Sequence, residues 1–322
     1  MKAVQINKYG GVEILEVNQN VPKPICGKGQ VLVEVAAASI NPIDWKVRAG
    51  YLKDFVPLTF PSILGGDFAG VIVETNDVTD FKVGDQVFGQ AGLLNGGSGS
   101  FAQFAAANPS KIAIKPKSLD YLQSAAMPLA GVSALQAVED HIHLNKHLAS
   151  AKASAGRQKI LIHGGAGGIG HFAIQIAKAH GAYVATTVSA RDMQFVKELG
   201  ADQVIDYKVE AFDDKIDDFD AVFDTVGGET TNKSLKVLKA GGIIVSMAGE
   251  SDGKLAKKFK VSAIGQQTDG NPKRLRRLAL LVDEGKIRVY IDRVFTLDQA
   301  KEAFEHLEFG HPRGKVVLKI KG

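Results

Sequence analysis

The residues best suited to chemistry lie mid-chain, where Lys159-Ile160-Leu161-Ile162-His163 runs into Gly164-Gly165-Ala166-Gly167-Gly168-Ile169-Gly170 and then His171-Phe172-Ala173-Ile174-Gln175-Ile176-Ala177-Lys178. A β-branched apolar run, a break of glycines and an amphipathic resumption read as buried strand, tight turn and helix. Gly165, Gly167 and Gly170 fit G-x-G-x-x-G: one glycine for the turn, one for close approach of backbone to a pyrophosphate, one for helix–strand packing. The chemistry is anion binding. N–H groups at the positive end of a helix starting near Gly167 would receive phosphates, making Gly165, Ala166, Gly167, Gly168, Ile169 and Gly170 the expected cradle. Glycine clusters also make ordinary turns; strand before and helix after are what point to a dinucleotide.

A second strand is predicted over Ala182–Val188. NAD-binding chains usually carry an acid about 20 residues past the glycines, on the ribose 2′-hydroxyl. Here the strand ends in Thr187, Val188, Ser189, Ala190 and Arg191. Without a carboxylate nothing repels a 2′-phosphate, and hydroxyls with a guanidinium can bind one, so NADPH is expected over NADH. Asp192 fits the start of the next helix. Phe219–Gly228 and Gly241–Gly249 continue the βα alternation as strand plus turn, their ends at the carboxyl side where open α/β sheets bind ligands.

These elements must sit in a larger frame. A chain of 322 residues, 45% hydrophobic, is long enough for two domains with sizeable cores. A net charge of +4 is too small and scattered to imply nucleic acid or a membrane surface. The lone cysteine, Cys26, excludes an internal disulfide framework and a multi-cysteine zinc site, and fits a reducing, cytoplasmic setting. Met1–Ile6 reads as a strand rather than a signal peptide, and no apolar run is long enough to span a bilayer. Short strands are predicted at Gly29–Ala38, Ala69–Glu74 and Asp85–Gly89, punctuated by glycine and proline, as in a small β-barrel or sandwich.

Ser39-Ile40-Asn41-Pro42-Ile43-Asp44-Trp45-Lys46, Gly65-Gly66-Asp67-Phe68-Ala69-Gly70-Val71, Val83-Gly84-Asp85-Gln86-Val87-Phe88-Gly89 and Gly314-Lys315-Val316-Val317-Leu318, in that order around the glycine turn, resemble the medium-chain dehydrogenases/reductases. The resemblance spans nearly the whole chain. It implies an α/β protein with a GroES-like, β-rich catalytic domain (1–124 and 293–322) and an inserted Rossmann domain (125–292) holding a doubly wound parallel sheet. Zinc alcohol dehydrogenases carry a Cys in the segment around Asn41 and Gly-His-Glu around Asp67; this chain has Asn41 and Gly66-Asp67 there, and lacks the four-cysteine structural lobe. A catalytic zinc takes about three thiolate, imidazole or carboxylate ligands. The chain therefore resembles the zinc-independent branch of quinone oxidoreductases and enone reductases, especially those of plants and bacteria.

Without a Lewis acid an unactivated ketone is a poor acceptor, whereas a conjugated carbonyl spreads the charge that hydride brings. Asn41 could orient a carbonyl or water, or be simply the turn residue before Pro42. Tyr51 could donate a proton, or pack at a rim. Asp67, among glycines and apolar residues, would be costly unpaired; the resemblance implies a direct pair with Lys315, structural more than catalytic. The resemblance also places Val132 and Ser133 near the nicotinamide, Tyr207 by the adenosine phosphate, and Val226, Gly227 and Gly249 along the cofactor. Trp45 reads as core.

Of the remaining segments, Gln90–Ser100 reads as a mobile loop or plain linker. His141, His143 and His147 have spacings a metal could use, but no acid or cysteine completes a set, and a solvated connector is the expectation. Lys254–Val261 reads as a basic edge strand, Pro272–Asp283 as an amphipathic helix, and Asp298 as the cap of a helix through Leu307. The expected function is NADPH-dependent, zinc-independent reduction of a quinone or α,β-unsaturated carbonyl, the acceptor being a small molecule and the chain a possible homodimer, as relatives commonly are. The other readings are an NADPH sensor or crystallin-like protein without important turnover, and an enoyl-thioester reductase.

Overall fold

A computed structural model describes residues 1–144, 156–249 and 252–321. The chain divides into two compact units: Met1–Val132 with Gly270–Gly285 and Val289–Gly322, and Ser133–Asp269 with Lys286–Arg288.

In the first unit β1 (Ala3–Ile6), β2 (Glu16–Asn18), β3 (Gln30–Ile40), α1 (Pro42–Arg48), β4 (Ser62–Ile63), β5 (Asp67–Asn76), β6 (Gln86–Gln90), β7 (Phe104–Ala107), β8 (Ile112–Ile114) and α2 (Tyr121–Ala125) follow in order, and the chain crosses to the second unit within α3 (Pro128–Leu135). There β9 (Lys159–His163), α4 (Gly170–Ala179), β10 (Tyr183–Val188), α5 (Met193–Glu198), β11 (Gln203–Asp206), β12 (Phe219–Asp224), α6 (Glu229–Ser234), β13 (Leu238–Ser246), α7 (Gly253–Phe259) and β14 (Ser262–Gly265) alternate. The chain then returns through α8 (Pro272–Asp283), β15 (Ile291–Thr296), α9 (Ala300–Phe309) and β16 (Lys315–Lys319).

The first unit is β-rich. A small antiparallel sheet runs β2-β1-β4, and a larger one runs β15-β16-β3-β5-β6-β8 with β7 also on β3. The register of the larger sheet matters most for chemistry. Ser39 faces Asp67, Asp67 faces Gln90, and Val316 faces Ile40, so the ends of β3, β5, β6 and β16 meet at one edge. Val31, Val33, Val35, Phe68, Ile72 and Val87 pack on one side of these strands, while Ile40, Phe101, Phe304 and Leu318 belong to a second core. Apolar burial at about 25 cal/mol per Å² holds that edge in register. Helix α8 belongs to this unit: Leu278 lies against Gly131, and Asp283 accepts from the backbone and hydroxyl of Ser118 at 3.0 and 2.7 Å.

The second unit holds a six-stranded parallel sheet of order β11-β10-β9-β12-β13-β14, the doubly wound order with its switch point between β9 and β12. Its apolar positions Leu161, Ala185, Ile205, Val222 and Ile244 share one core.

Two local expectations are corrected. Residues 254–259 are helical: Asp252 caps α7 by accepting from Lys254 N at 2.8 Å, and Leu255 and Phe259, four apart, pack on the sheet's core. Asp298 does not cap α9. It pairs with Lys2 at 2.5 Å, while Thr296 and Gln299 form a capping box on the 3₁₀ turn Leu297–Gln299 that leads into α9. The Gln90–Ser100 segment is bonded across itself, Gly97 N to Gly92 O and Gly99 N to Ala91 O at 3.1 and 2.8 Å, around a 3₁₀ turn at Leu93–Asn95. No helix among the described residues is long and apolar enough to cross a membrane.

Candidate functional site

The edge where β3, β5, β6 and β16 meet seals three ionisable side chains from water. Asp44, Asp67 and Lys315 are all buried, Asp67 completely. Asp67 accepts from Ser39 Oγ at 3.2 Å, Asn41 Nδ2 at 2.9 Å, Gln90 Nε2 at 3.2 Å and Leu129 N at 3.1 Å, and Ser100 Oγ donates to its carbonyl at 3.0 Å. The expected direct contact between Asp67 and Lys315 is not made. Asn41 stands between them, its Oδ1 accepting from Lys315 Nζ while its Nδ2 donates to Asp67. An ammonium on one side and a carboxylate on the other fix which end of the amide is which, so Asn41 is an oriented dipole at the head of α1.

Burial pushes the Asp67 carboxyl above its ordinary range against the opposing charge of Lys315, and burial lowers Lys315 against the charges of Asp67 and Asp44. Burial likewise lifts Asp44 to about 7, although its Oδ2 accepts from Asn41 N at 2.7 Å. Tyr51 is not bonded into this network: its ring stands edge-on to Trp45 at 5.6 Å between centroids and is 71% exposed, on a loop after α1.

In the second unit the glycine turn is shaped by its own backbone. Gly164 N and Gly165 N donate to Thr187 O at 3.2 and 3.3 Å, and Gly167 N donates to Gly164 O at 3.0 Å. The amides of Ala166, Gly168, Ile169 and Gly170 have no acceptor among the described residues, at the head of α4, which starts at Gly170 rather than near Gly167. A Cβ at Gly165 would lie 2.1 Å from Thr186 Oγ1, and one at Gly170 would lie 2.2 Å from Gly164 O. One at Gly167 would meet only Gly164 O, at 3.3 Å. The first two glycines thus serve packing, and the third leaves a cradle that a side chain would fill. That is the fit a diphosphate needs.

At the end of β10, Ser189 Oγ and Arg191 Nε both donate to Asp192 Oδ2, at 3.0 and 3.2 Å. Asp192 is buried, whereas the Arg191 guanidinium is half exposed. Thr187, expected to offer its hydroxyl to a phosphate, turns inward instead. Ser234 Oγ donates to Thr230 O at 2.7 Å and therefore accepts from His163 Nε2, leaving Nδ1 to accept from Thr187 Oγ1, both at 2.9 Å. Burial holds His163 neutral, down to about 4. Tyr207 is exposed with its amide on Val188 O at 3.2 Å. Val226 N and Gly227 N bond Asp224 Oδ1 at 2.8 and 3.1 Å, and Gly249 takes φ +114°. Val132 is buried, and Ser133 Oγ pairs with Thr268 Oγ1 at 2.7 Å.

The structure therefore bonds Asn41, Asp67 and Lys315 together without Tyr51, and it gathers the glycine turn beside the end of β10. Sequence reasoning missed Ser39, Gln90 and Ser100 around Asp67, and His163 beneath the turn; only the strand register, not residue type, could have found Ser39 and Gln90. Of the three spaced histidines, His147 lies outside the described residues. His143 Nδ1 lies 3.2 Å from Glu139 O, and no group of three or more metal-ligating side chains occurs among the described residues.

Two family profiles match parts of the chain: the alcohol dehydrogenase GroES-like domain over residues 27–117 and the zinc-binding dehydrogenase over 199–318. A 2-methylene-furan-3-one reductase of Solanum lycopersicum is 37% identical over 99% of this chain and 79% of its own length. A chloroplastic NADPH-dependent alkenal/one oxidoreductase of Arabidopsis thaliana is 36% identical with the same coverage. The quinone oxidoreductase structure from Coxiella burnetii superposes with a TM-score of 0.86 at 38% identity, covering 100% of this chain and 99% of that one. On the residues gathered at both centres and these likenesses over nearly the whole of this chain, the chain is an oxidoreductase that belongs to the quinone and enone reductase branch of the medium-chain dehydrogenases/reductases.

Proposed function

We propose that this oxidoreductase uses NADPH, without a metal, to reduce a quinone or an α,β-unsaturated carbonyl. The observation that carries the reading is the phosphate cradle of Ala166, Gly168, Ile169 and Gly170, with a strand end beside it that offers Ser189 and Arg191 and keeps its only carboxylate, Asp192, buried. When bound, NADPH supplies the hydride that the electrophilic carbon of a conjugated acceptor takes up.

The chain's own residues do the rest. The four amides and the helix end hold the diphosphate, and Arg191 answers the 2′-phosphate. Asn41, oriented by Lys315 and Asp67, presents its second Nδ2–H to the acceptor's oxygen as charge develops there. The proton comes from water or from the phenol of Tyr51. The donor set argues against zinc: Asp67 is already bonded to Ser39, Asn41, Gln90 and Leu129, and a lysine ammonium shares the site. A single cysteine, Cys26, buried and without a disulfide partner, suits a reducing compartment, and we place the protein in the cytoplasm.

An acceptor screen tests this. Conjugated enones and quinones are expected to oxidise NADPH, and NADH more slowly, at rates that a strong zinc chelator leaves unchanged. Inhibition by chelator, or no turnover with any conjugated acceptor, would overturn it.

A further inference from the structure

Gln266, the residue after β14, is 6% exposed and held from three sides. Its backbone N donates to Ser246 O at 2.8 Å, and its Nε2 donates to Ser133 O at 2.9 Å and reaches Met247 Sδ at 3.3 Å. Both side-chain neighbours are acceptors. A flipped amide would set Oε1 against the Ser133 carbonyl, so the nitrogen end is fixed by chemistry. Oε1 is left buried with no hydrogen-bond partner among the described residues. An orphaned buried carbonyl costs about 1–3 kcal/mol, and such an atom in a native fold calls for a donor from outside the chain.

Its place indicates which donor. In a doubly wound sheet each half takes one mononucleotide, with the diphosphate at the switch. The cradle follows β9, so β10 and β11 lie on the adenosine side and β12 to β14 on the other. Gln266 ends the outermost strand of that second half, at the carboxyl edge, and its amide is tied to Ser133. A nicotinamide carries a primary carboxamide with two N–H donors; its ring carbons offer none.

We propose that Gln266 Oε1 accepts a hydrogen bond from the carboxamide of the nicotinamide and so sets the orientation of the reactive ring. Gln266 is then a positioning residue that discriminates pyridine carboxamides from pyridines lacking the N–H. This rests on the proposed NADPH reading, and the test separates the two.

Equilibrium binding is measured by calorimetry, without turnover, for 2′,5′-ADP, NADP⁺ and its 3-acetylpyridine analogue, whose methyl ketone lacks the donor. The wild-type chain is expected to bind NADP⁺ about tenfold tighter than the analogue, the worth of one hydrogen bond. Gln266→Met is expected to bind the two alike, and Gln266→Glu, which retains an acceptor, to prefer NADP⁺ still. All three chains are expected to bind 2′,5′-ADP equally, which also certifies that the variants fold. Equal wild-type affinity for NADP⁺ and the analogue overturns the proposal without recourse to any variant. So does a tenfold preference that survives in Gln266→Met. If 2′,5′-ADP and NADP⁺ both fail to bind the wild-type chain, the dinucleotide reading itself falls.

Discussion

At the sheet edge of the first unit, Asp44, Asp67 and Lys315 are closed off from water and bonded into their surroundings; at the glycine turn of the second, four backbone amides are left for a solute. One centre is built from side chains of residues 39, 41, 44, 67, 90 and 315, far apart in sequence, the other from six consecutive residues. Damage should therefore read out differently. Removing a member of the first strands its neighbours in low dielectric and costs stability. Altering the second at its open position should cost affinity while the fold stands.

The largest expected effect tests the first half of that contrast. Lys315→Met leaves Asp67 buried without its compensating cation, and a loss of about 3–5 kcal/mol is expected in urea unfolding followed by Trp45 fluorescence, which reports on the first unit. A change below about 1 kcal/mol would mean that the hydrogen bonds to Asp67 hold the edge without the charge.

Next comes pH, where the two units should slope in opposite directions. Asp44 is held up at about 7 against an ordinary 3.8, so the folded chain binds the extra proton and stability is lost as pH rises through about 7. His163 is held down at about 4 against 6.5, so stability is present above 6.5 and lost as pH falls through about 4. Asp44→Asn is expected to flatten the alkaline loss, on the order of 2–4 kcal/mol between pH 5 and 8, and leave the acid loss in place. An unchanged alkaline slope in thermal melts would assign it to another group.

What could be read from the sequence follows the same division. The turn was legible because strand, glycines and helix are contiguous, and local period and residue type suffice to place them. The Asp67 cluster was legible only in part. Asn41 and Lys315 came from family likeness, but that Asn41 stands between Lys315 and Asp67, and that Ser39 and Gln90 close around the carboxylate, depends on the register of β3 with β5 and of β5 with β6. Such register is set by packing across the sheet rather than by neighbours in sequence. Residues 254–259 failed for a related reason: Leu255 and Phe259 suit a short helix as well as a strand, and the cap at Asp252 decides.

Within the turn, two glycines divide structure from binding. Gly165→Ala drives a methyl to 2.1 Å from Thr186 Oγ1, whose own bond to Ile162 O at 2.7 Å keeps it in place; a loss of about 1–3 kcal/mol is expected. Gly167→Ala meets nothing closer than 3.3 Å. It is expected to melt within a few degrees of the parent yet bind NADP⁺ at least tenfold more weakly in calorimetry, because the methyl occupies the diphosphate's approach. Equal affinities for Gly167→Ala and the parent would break the comparison, since the open position would then have no ligand to exclude.

The smallest effect concerns the choice between two dinucleotides, and it bears on whether the second centre is purely backbone. Arg191 is half exposed and water screens its charge, so Arg191→Ala should lower the NADPH-over-NADH ratio of kcat/KM by only about tenfold, through NADPH alone. Asp192→Asn keeps an acceptor for Ser189 and Arg191 but removes the negative charge they share, so the same ratio should rise a few-fold. The opposed signs are the point: a merely structural role for the Ser189–Asp192 segment would lower activity with both coenzymes in both variants. A ratio unmoved by Arg191→Ala would return the 2′-phosphate to the exposed Tyr207 and its neighbour Lys208, and the turn would then bind the diphosphate with no help from the end of β10.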